Sequence, residues 1–215
     1  MSKTLDKSAI VQRLAEAAQR DRNRKVFGAL GHHYKLNPTL AVSVIGAFEK
    51  LKGLSLPEDY RHYITEIGNG GAGPYYGVLP FGKDDDDRDW ECGGLVGDLS
   101  QPFPHQLAWN QSDSFWEGQP KPLPKMSLEE EDKLWETWDN VMQEHYWNPS
   151  IMNGAIPICH KGCALRQWLV INGEQHGFVW NDHRVDKRGI APILDQPGNP
   201  VTFGDWYMEW LDSLP

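Results

Sequence analysis

The chain has 215 residues, of which 40% are hydrophobic, and it carries a formal net charge of −9 at pH 7. This length suits one domain with a sizeable core, and the negative charge argues against nucleic-acid or anionic-membrane binding and favours a basic partner. Three cysteines are too few for a disulfide scaffold, and no apolar stretch is long enough for a signal peptide or a membrane span, so we expect a cytoplasmic protein.

The first third of the chain is predicted to consist of helices. Residues 4–25 repeat apolar side chains at helical spacing, with charged side chains opposite them. Asn37 and Pro38 favour the start of a second helix, which is predicted to end at Gly53. The predicted apolar faces contain Ile10, Val11, Leu14 and Ala18 in the first helix and Leu40, Val44, Phe48 and Leu51 in the second. We interpret residues 1–53 as a helical extension packed on the following domain.

A third helix and a glycine-rich loop follow this extension. Ser55 and Glu58 have the spacing of a capping box, which predicts the start of the helix. Gly68 lies where a left-handed residue often ends a helix. The predicted apolar face contains Tyr60, Tyr63, Ile64 and Ile67. Residues 68–77 follow a helix instead of preceding one, so they lack the free amides that bind phosphate, and we interpret them as a hinge into a strand over residues 76–81.

An acidic segment comes next, with six acidic and two basic side chains in residues 83–91. It lacks the spaced Asp, the central Gly and the terminal Glu of a calcium loop, so no metal site is predicted. Two interpretations stay open: a solvated loop, or a docking surface that attracts a basic protein. The second interpretation predicts partner-binding residues, with Trp90 as an aromatic anchor, and these are Asp84, Asp85, Asp86, Asp87, Asp89, Trp90 and Glu91.

Residues 84–150 are predicted to form a long irregular insertion in the domain of residues 54–215. Residues 101–125 are rich in Pro and Trp, which is typical of a loop held by aromatic contacts. Ser127 and Glu130 form a second capping-box pattern and predict a helix. The apolar face of this helix is predicted to contain Leu134, Trp138, Val141, Met142 and His145.

The last third of the chain has the clearest strand pattern. Strands are predicted over residues 155–159, 164–171, 175–180 and 190–194. Asn172 and Gly173 favour a tight hairpin between the second and third of these strands, and Thr202 is predicted to cap a final helix. Strands bounded by helices, without βαβ alternation, predict an α+β fold with a single antiparallel sheet flanked by helices.

Four separate motifs occur in the order typical of one protein family. They are residues 56–60 with 69–77, residues 95–99 with 102–104, residues 156–163, and Phe203, Trp206, Trp210 and Leu211. In these motifs the chain resembles the SUKH superfamily, which includes fungal Smi/Knr cell-wall regulators and bacterial immunity proteins of polymorphic toxin systems. The resemblance covers roughly residues 54–214. It implies a single α+β domain around a twisted, mainly antiparallel sheet, and a role in protein binding without catalytic residues.

The run from Cys159 to Cys163 contains the cluster with metal-ligand chemistry. A structural zinc site needs four ligands, and Cys92 and His183 are the candidates that could complete the set. A thiol hydrolase that uses Cys159 and His160 is also conceivable, but neighbouring residues of a strand point to opposite faces. We therefore favour a β-turn between two buried strands and predict neither a metal nor a cofactor.

Together, these observations predict a cytoplasmic, non-enzymatic protein that binds another protein. The first hypothesis is an immunity protein that neutralises a basic toxin domain by occluding it, without direct binding to nucleic acid or membrane. A regulatory interaction or scaffold protein of the Smi/Knr type is the second hypothesis. The thiol hydrolase that uses Cys159 and His160 is the third.

Overall fold

The computed structural model describes residues 5–215, with positions 91 and 93 described by their backbone alone. Its N-terminal helices are α1 Lys7–Arg20, α2 Ala29–His32 and α3 Val42–Lys52. Helix α1 starts at a side-chain cap, because the Asp6 carboxylate accepts a hydrogen bond from the Ala9 amide at 2.7 Å. The N-terminal third is therefore helical, as the sequence predicts.

Helix α3 begins later than the Asn37-Pro38 pattern predicts. The amide of Asn37 donates to the carbonyl of Gly70 at 3.0 Å, and the amide of Leu40 donates to the carbonyl of Ile64 at 2.9 Å. These bonds tie the segment before α3 to a later part of the chain. The segment from Asn37 to Ala41 is therefore not helical, although a helix was predicted there.

The buried faces of α1 and α3 are partly rotated from their predicted positions. Helix α3 buries Ile45, whereas Val44 and Leu51 of the predicted face are exposed. In α1, Val11 of the predicted face is half exposed. Helix α3 ends at Gly53 in the left-handed conformation, with φ of 69°, as predicted.

The third predicted helix consists of α4, Glu58–His62, and a π-helical turn, Tyr63–Ile67. The capping box predicted at Ser55 is wrong, because no side chain among the described residues caps this helix. The Leu56 amide, close to the predicted cap, donates instead to the Glu49 carboxylate of α3 at 3.0 Å. The predicted apolar face is confirmed, since four side chains are buried: Tyr60, Tyr63, Ile64 and Ile67.

The glycine-rich loop after this turn has a different geometry from the prediction. Gly68 is extended, with φ of −175°, so the left-handed cap predicted there is wrong. The π-helical turn explains this, because the Gly68 amide bonds to the Tyr63 carbonyl five residues back. The residues of this loop with positive φ are Gly70, Gly71, Tyr75 and Gly77. A Cβ on Gly71 would lie 2.5 Å from the Lys35 carbonyl oxygen.

The sheet contains β1 Ala155–Gly162, β2 Leu165–Val170, β3 Val179–Asp182 and β4 Ile190–Pro192. The strands lie in this order, and each pairs antiparallel with the next. The predicted meander is confirmed, although β3 begins at residue 179 and not at residue 175.

The tight hairpin of the sheet lies at a different position from the predicted one. Cys163 and Ala164 connect β1 to β2 with φ of 50° and 60°, the conformation that two-residue turns of type I′ require. The turn predicted at Asn172 and Gly173 is wrong, because these residues belong to a longer connection between β2 and β3. There the Asn172 carbonyl accepts a hydrogen bond from the Phe103 amide at 2.9 Å, so a distant contact determines their conformation.

The strand predicted over residues 76–81 is reduced to isolated bridges beside β1. Val78 pairs with both Gly71 and Cys159. Pro80 has no backbone N–H to extend this pairing. The segment therefore continues the sheet for one residue pair and then turns away.

The two faces of the sheet are covered by different parts of the chain. Helix α8, Phe203–Ser213, covers one face and is capped by Thr202, whose hydroxyl accepts from the Asp205 amide, as predicted. On this face Leu169 and Val179 belong to the same core as the α8 side chains. The other face carries a second core cluster that contains Phe103, Met152, Trp168, Val170 and Trp180.

The predicted irregular insertion contains three helices: α5 Trp90–Gly93, α6 Asp113–Glu117 and α7 Leu128–His145. The capping box of Ser127 and Glu130 is present at the start of α7, as predicted. Helix α7 lies entirely in the described part of the chain, and none of its residues is buried.

The N-terminal extension shares the main core with the rest of the chain. Ile10, Leu14 and Ile45 belong to the same buried cluster as α8, and the Arg13 guanidinium donates to the carbonyl of Leu214. The helices and the antiparallel sheet therefore form a single α+β domain. Among the described residues, no helix has both the length and the apolar character that crossing a membrane requires.

Candidate functional site

The acidic segment folds around the buried carboxylate of Asp84. This carboxylate accepts hydrogen bonds from the amides of Asp86 and Arg88, both at 2.9 Å, and from Nε of Arg88 at 3.0 Å. The Asp84 amide also donates to the Arg88 carbonyl at 2.9 Å. Asp84 therefore closes the loop from inside and does not face solvent.

Asp85 joins the acidic segment to the sheet. Its two carboxylate oxygens accept from Nε and Nη2 of Arg166, at 3.0 and 2.9 Å, and Nε2 of His160 lies 3.8 Å away. Burial opposes ionisation of Asp85, but the hydrogen bonds and the charge of Arg166 outweigh it and lower the pKa of this carboxyl. Arg166 is 81 positions away in the chain, so local sequence patterns give no sign of this pair.

The remaining predicted partner-binding residues differ in exposure. Asp86, Asp87 and Asp89 are exposed, although Arg88 pairs with Asp86 at 2.7 Å and Lys83 pairs with Asp89 at 2.9 Å. We refer to these three exposed residues as the acidic loop. The docking hypothesis rests on them, because their carboxylates reach solvent.

Trp90, predicted as an aromatic anchor, is 7% exposed. Its Nε1 donates to the Lys83 carbonyl at 2.8 Å, and its ring packs against Phe48 and Phe81. The ring therefore belongs to the core and is not presented to a partner. The side chain of Glu91, also predicted to bind a partner, lies outside the described residues.

Three exposed aromatic side chains lie beside this segment: Phe27, Tyr75 and Tyr76. They are 55%, 38% and 54% exposed, and the Phe27 ring centroid lies 6.2 Å from that of Tyr75 and 5.0 Å from that of Tyr76. We call these three residues the aromatic patch. The sequence pattern predicts Tyr75 in the hinge and Tyr76 at the start of the following strand, so it does not predict this patch. The flanking Pro74 and Gly77 were the available signal for a turn that exposes them.

The backbone holds the aromatic patch in place. The Gly77 amide donates to the Pro74 carbonyl at 2.9 Å and closes the turn that carries both tyrosines. Gly28, next to Phe27, approaches this turn so closely that a Cβ there would lie 1.5 Å from the Tyr75 carbonyl oxygen. The three rings therefore project from two segments that are packed together.

A series of contacts connects the aromatic patch to the segment that carries the acidic loop. Tyr76 stacks on the His160 ring, with centroids 5.5 Å apart and an interplanar angle of 21°. His160 in turn faces Asp85, which precedes the acidic loop. The patch and the loop are thus linked indirectly, through His160 and Asp85.

A half-buried lysine lies on the other side of the aromatic patch. Nζ of Lys161 donates to Oδ1 of Asn181 at 3.1 Å and lies 3.3 Å from Nε2 of His183, with the Tyr75 ring centroid at 5.0 Å. Burial lowers the pKa of Lys161, and the charge of Arg188 lowers it further. Burial and the charges of Lys161 and Arg188 also lower the pKa of His183. No carboxylate among the described residues lies within 4 Å of this ammonium group.

The residues from Cys159 to Cys163 form the end of β1 and the start of the turn that follows it. Cys159 is buried and donates from Sγ to the Pro74 carbonyl at 3.2 Å, and burial raises the pKa of this thiol. The His160 ring contacts Asp85 and Tyr76. Cys163 belongs to the tight turn after β1, which confirms the β-turn interpretation. In the part of the chain that the structure describes, no group of three or more His, Cys, Asp or Glu side chains could hold a metal ion.

A cavity of about 450 Å³ separates helix α8 from the aromatic patch. We call it the α8 cavity. Its lining includes Phe27 and Tyr75 of the aromatic patch, Trp206 and Trp210 of α8, and Gln167 of β2. The patch therefore borders a recess with aromatic walls.

Exposed carboxylates, exposed aromatic rings and a lysine ammonium group thus lie on connected parts of the surface. Such groups provide charge, apolar contact area and hydrogen-bond donors for binding another molecule. Comparisons of the chain with protein-family models, with curated proteins and with solved structures found no match.

Proposed function

We propose that this chain is a non-enzymatic protein-binding protein that holds its partner on the aromatic patch and the acidic loop. The observation that carries this proposal is the aromatic patch, in which three contacting rings are exposed side by side. Clusters of exposed apolar side chains mark interaction sites, and Tyr and Phe are enriched in protein interfaces. Removal of such anchors typically weakens binding by about 2 kcal/mol or more.

The fixed backbone under the patch also supports binding. The Pro74–Gly77 turn and the close approach of Gly28 restrict where the rings can move. A partner that binds preordered side chains loses less conformational entropy than one that must order them. The patch is therefore suited to anchor a partner.

The acidic loop supports a basic partner. Its carboxylates are exposed, and the whole chain has a net charge of −9. Charges of this kind raise the association rate of an oppositely charged protein, and salt weakens the effect. We expect the loop to contribute more to the association rate than to the lifetime of the complex.

The most specific form of the proposal is an immunity protein that binds a basic toxin domain and occludes it. The four motifs shared with the SUKH superfamily and the α+β fold support this form. Burial of Cys159 and its raised pKa weigh against the thiol hydrolase, because the thiolate is the reactive form of a cysteine. A regulatory interaction protein would use the same surface. It differs from an immunity protein in the effect of deleting its gene together with the gene for its partner.

A capture experiment with the native cell extract tests the proposal. The baits are the wild-type chain, the variant Phe27→Ala/Tyr75→Ala/Tyr76→Ala, and a control that removes three leucines elsewhere that are more exposed than the patch residues, Leu107→Ala/Leu123→Ala/Leu128→Ala. We expect the wild type and the control to retain one basic protein in near-stoichiometric amount and the patch variant to lose it. Retention of that protein by the patch variant would contradict the proposal.

A genetic experiment then separates an immunity protein from a regulator. The gene for this chain is deleted in its native strain, alone and together with the gene for the captured protein. An immunity protein is required for growth while the captured protein is present and becomes dispensable when that gene is deleted. A growth defect that persists in the double deletion would favour the regulatory alternative.

A further inference from the structure

Lys161 is a half-buried cation without a carboxylate partner among the described residues. Its ammonium group donates to a neutral amide oxygen, that of Asn181, and contacts the imidazole of His183. An ammonium group has three N–H donors, and the remaining side of this group faces the Tyr75 ring. Burying a charge is costly unless an opposite charge compensates it. An anion at this position would therefore be stabilised.

Charged side chains of both signs lie around Lys161 and His183. Arg188 lies close enough for its charge to act on both Lys161 and His183. Asp182 and Asp186 act on His183, but neither lies within 4 Å of the Lys161 ammonium group. The feature complementary to a negative group is therefore the Lys161 ammonium group itself, whose contacts are an amide oxygen, an imidazole and an aromatic ring.

A chain of hydrogen bonds fixes the position of Lys161 relative to the α8 cavity. Oδ1 of Asn181 accepts from Lys161 and also from Nε2 of Gln167, at 3.1 Å. Oε1 of Gln167 accepts from Nε1 of Trp206 at 3.0 Å. Gln167 and Trp206 line the cavity, so these hydrogen bonds connect the ammonium group to the cavity wall.

We propose that Lys161, together with the adjacent His183, binds the C-terminal carboxylate of a partner protein whose last side chain is apolar and enters the α8 cavity. This inference rests on the proposed protein-binding function. In the last residue of a chain, the carboxylate and the side chain are both bonded to the same Cα atom. Such a residue can therefore place its carboxylate at the ammonium group and its apolar side chain in the nearby cavity. Glu209 also lines the cavity and would repel a carboxylate placed there, which disfavours the reverse orientation.

A purely structural role for Lys161 is the alternative, since it connects β1 to β3 across β2. The two roles predict different effects of Lys161→Met. A structural lysine would alter the stability of the chain without altering any preference for a carboxylate. A binding lysine would alter that preference.

The test uses two peptides and the full chain. The peptides are N-acetyl-Gly-Gly-Phe with a free C-terminal carboxylate and the same peptide with a C-terminal amide, which differ in one charged group. Calorimetric titrations at low salt compare the wild type, Lys161→Met and Lys133→Met, where Lys133 is an exposed lysine on α7 that controls for the loss of one positive charge. NMR of the His183 ring nitrogens reports where the carboxylate binds.

We expect the wild type and Lys133→Met to bind the acid at least about tenfold more tightly than the amide, a ratio that corresponds to one charge-assisted contact. Lys161→Met should bind both peptides equally, and the His183 resonances should shift with the acid and stay in place with the amide. Equal affinity of the wild type for both peptides, or no binding of either at millimolar concentration, would overturn the inference. This peptide comparison in the wild type decides the matter even if Lys161→Met does not fold. If the peptide test fails but the aromatic patch still retains a captured protein, the carboxylate inference is overturned and the proposed function stands.

Discussion

The buried ion pair of Asp182 and Arg184 allows a quantitative prediction of stability. Both side chains are 3% exposed, and the guanidinium bonds the carboxylate through two contacts, Nε to Oδ1 at 2.9 Å and Nη2 to Oδ2 at 2.7 Å. Arg184 also donates to the Tyr146 carbonyl at 3.2 Å. His183, which contacts Lys161, lies between the two residues in the chain. The pair therefore holds the end of β3 next to the proposed carboxylate site.

Asp182→Asn keeps the shape of the side chain and leaves the guanidinium buried without a counter-charge. Breaking a buried pair in this way costs about 3–5 kcal/mol, which is a large fraction of a total stability of about 5–15 kcal/mol. For a chain of this length the loss corresponds to a decrease in the melting temperature of about 6–20 °C.

Urea unfolding followed by circular dichroism measures this loss. The matched control is Asp86→Asn, which removes the same charge from an exposed pair with Arg88 and should cost about 0–1 kcal/mol. The double variant Asp182→Leu/Arg184→Met should recover most of the stability, because it removes both charges from the interior. A cost for Asp182→Asn that is no larger than that of Asp86→Asn would refute this reasoning.

Three further predictions concern the residues around the binding surface. Gly28→Ala should destabilise the chain by about 1–3 kcal/mol or more, because Gly28 has φ of +82° and its Cβ would meet the Tyr75 carbonyl. The control Gly31→Ala, which has open space around its Cβ, should be close to neutral. Equal urea midpoints for the two variants would contradict this prediction. Iodoacetamide should modify the exposed Cys92 and Cys163 in the folded chain and reach Cys159 after unfolding, and mass spectrometry would contradict this if it found three modifications in the native state. Burial and the charge of His33 lower the pKa of His32 to about 4. Since the unfolded chain binds the His32 proton more tightly, stability should fall as the pH decreases from 6.5 to 4, and His32→Gln should show a smaller slope in urea titrations over this range.

The parts of the fold that local signals specify were predictable from the sequence. The capping box of Ser127 and Glu130 and the Thr202 cap involve residues three apart, and both are present. The strand pattern of the last third also predicted the antiparallel meander. In each case the residues that decide the structure are close together in the sequence.

Two of the wrong predictions have the same physical cause, which is a hydrogen bond to a neighbouring segment of the fold. The Glu49 carboxylate accepts a hydrogen bond from the Leu56 amide, next to the predicted Ser55 cap. The backbone of Phe103 binds Asn172 and keeps it out of a tight turn. Such contacts outweigh local preference and leave no local signal.

The candidate site was harder to predict than the fold. Charge identified the acidic segment, but Asp84 and Trp90 are buried and Asp85 pairs with Arg166, so fewer of its residues face solvent than the sequence indicated. The aromatic patch brings together residues from two distant segments, which a pattern along the chain does not show. The proposed role of Lys161 depends on its partial burial and on Asn181, His183 and Tyr75, which are distant in the sequence, so no local pattern predicts it.

The dissociation constant of the captured partner tests the central claim most directly. It is measured for the wild type, for Phe27→Ala/Tyr75→Ala/Tyr76→Ala and for the leucine control, with circular dichroism to show that all three are folded. We expect the patch variant to bind at least about 30-fold more weakly than the wild type, which corresponds to about 2 kcal/mol, and the leucine control to bind as the wild type does. Equal dissociation constants for the wild type and the patch variant would contradict the proposal that this protein holds its partner on the aromatic patch.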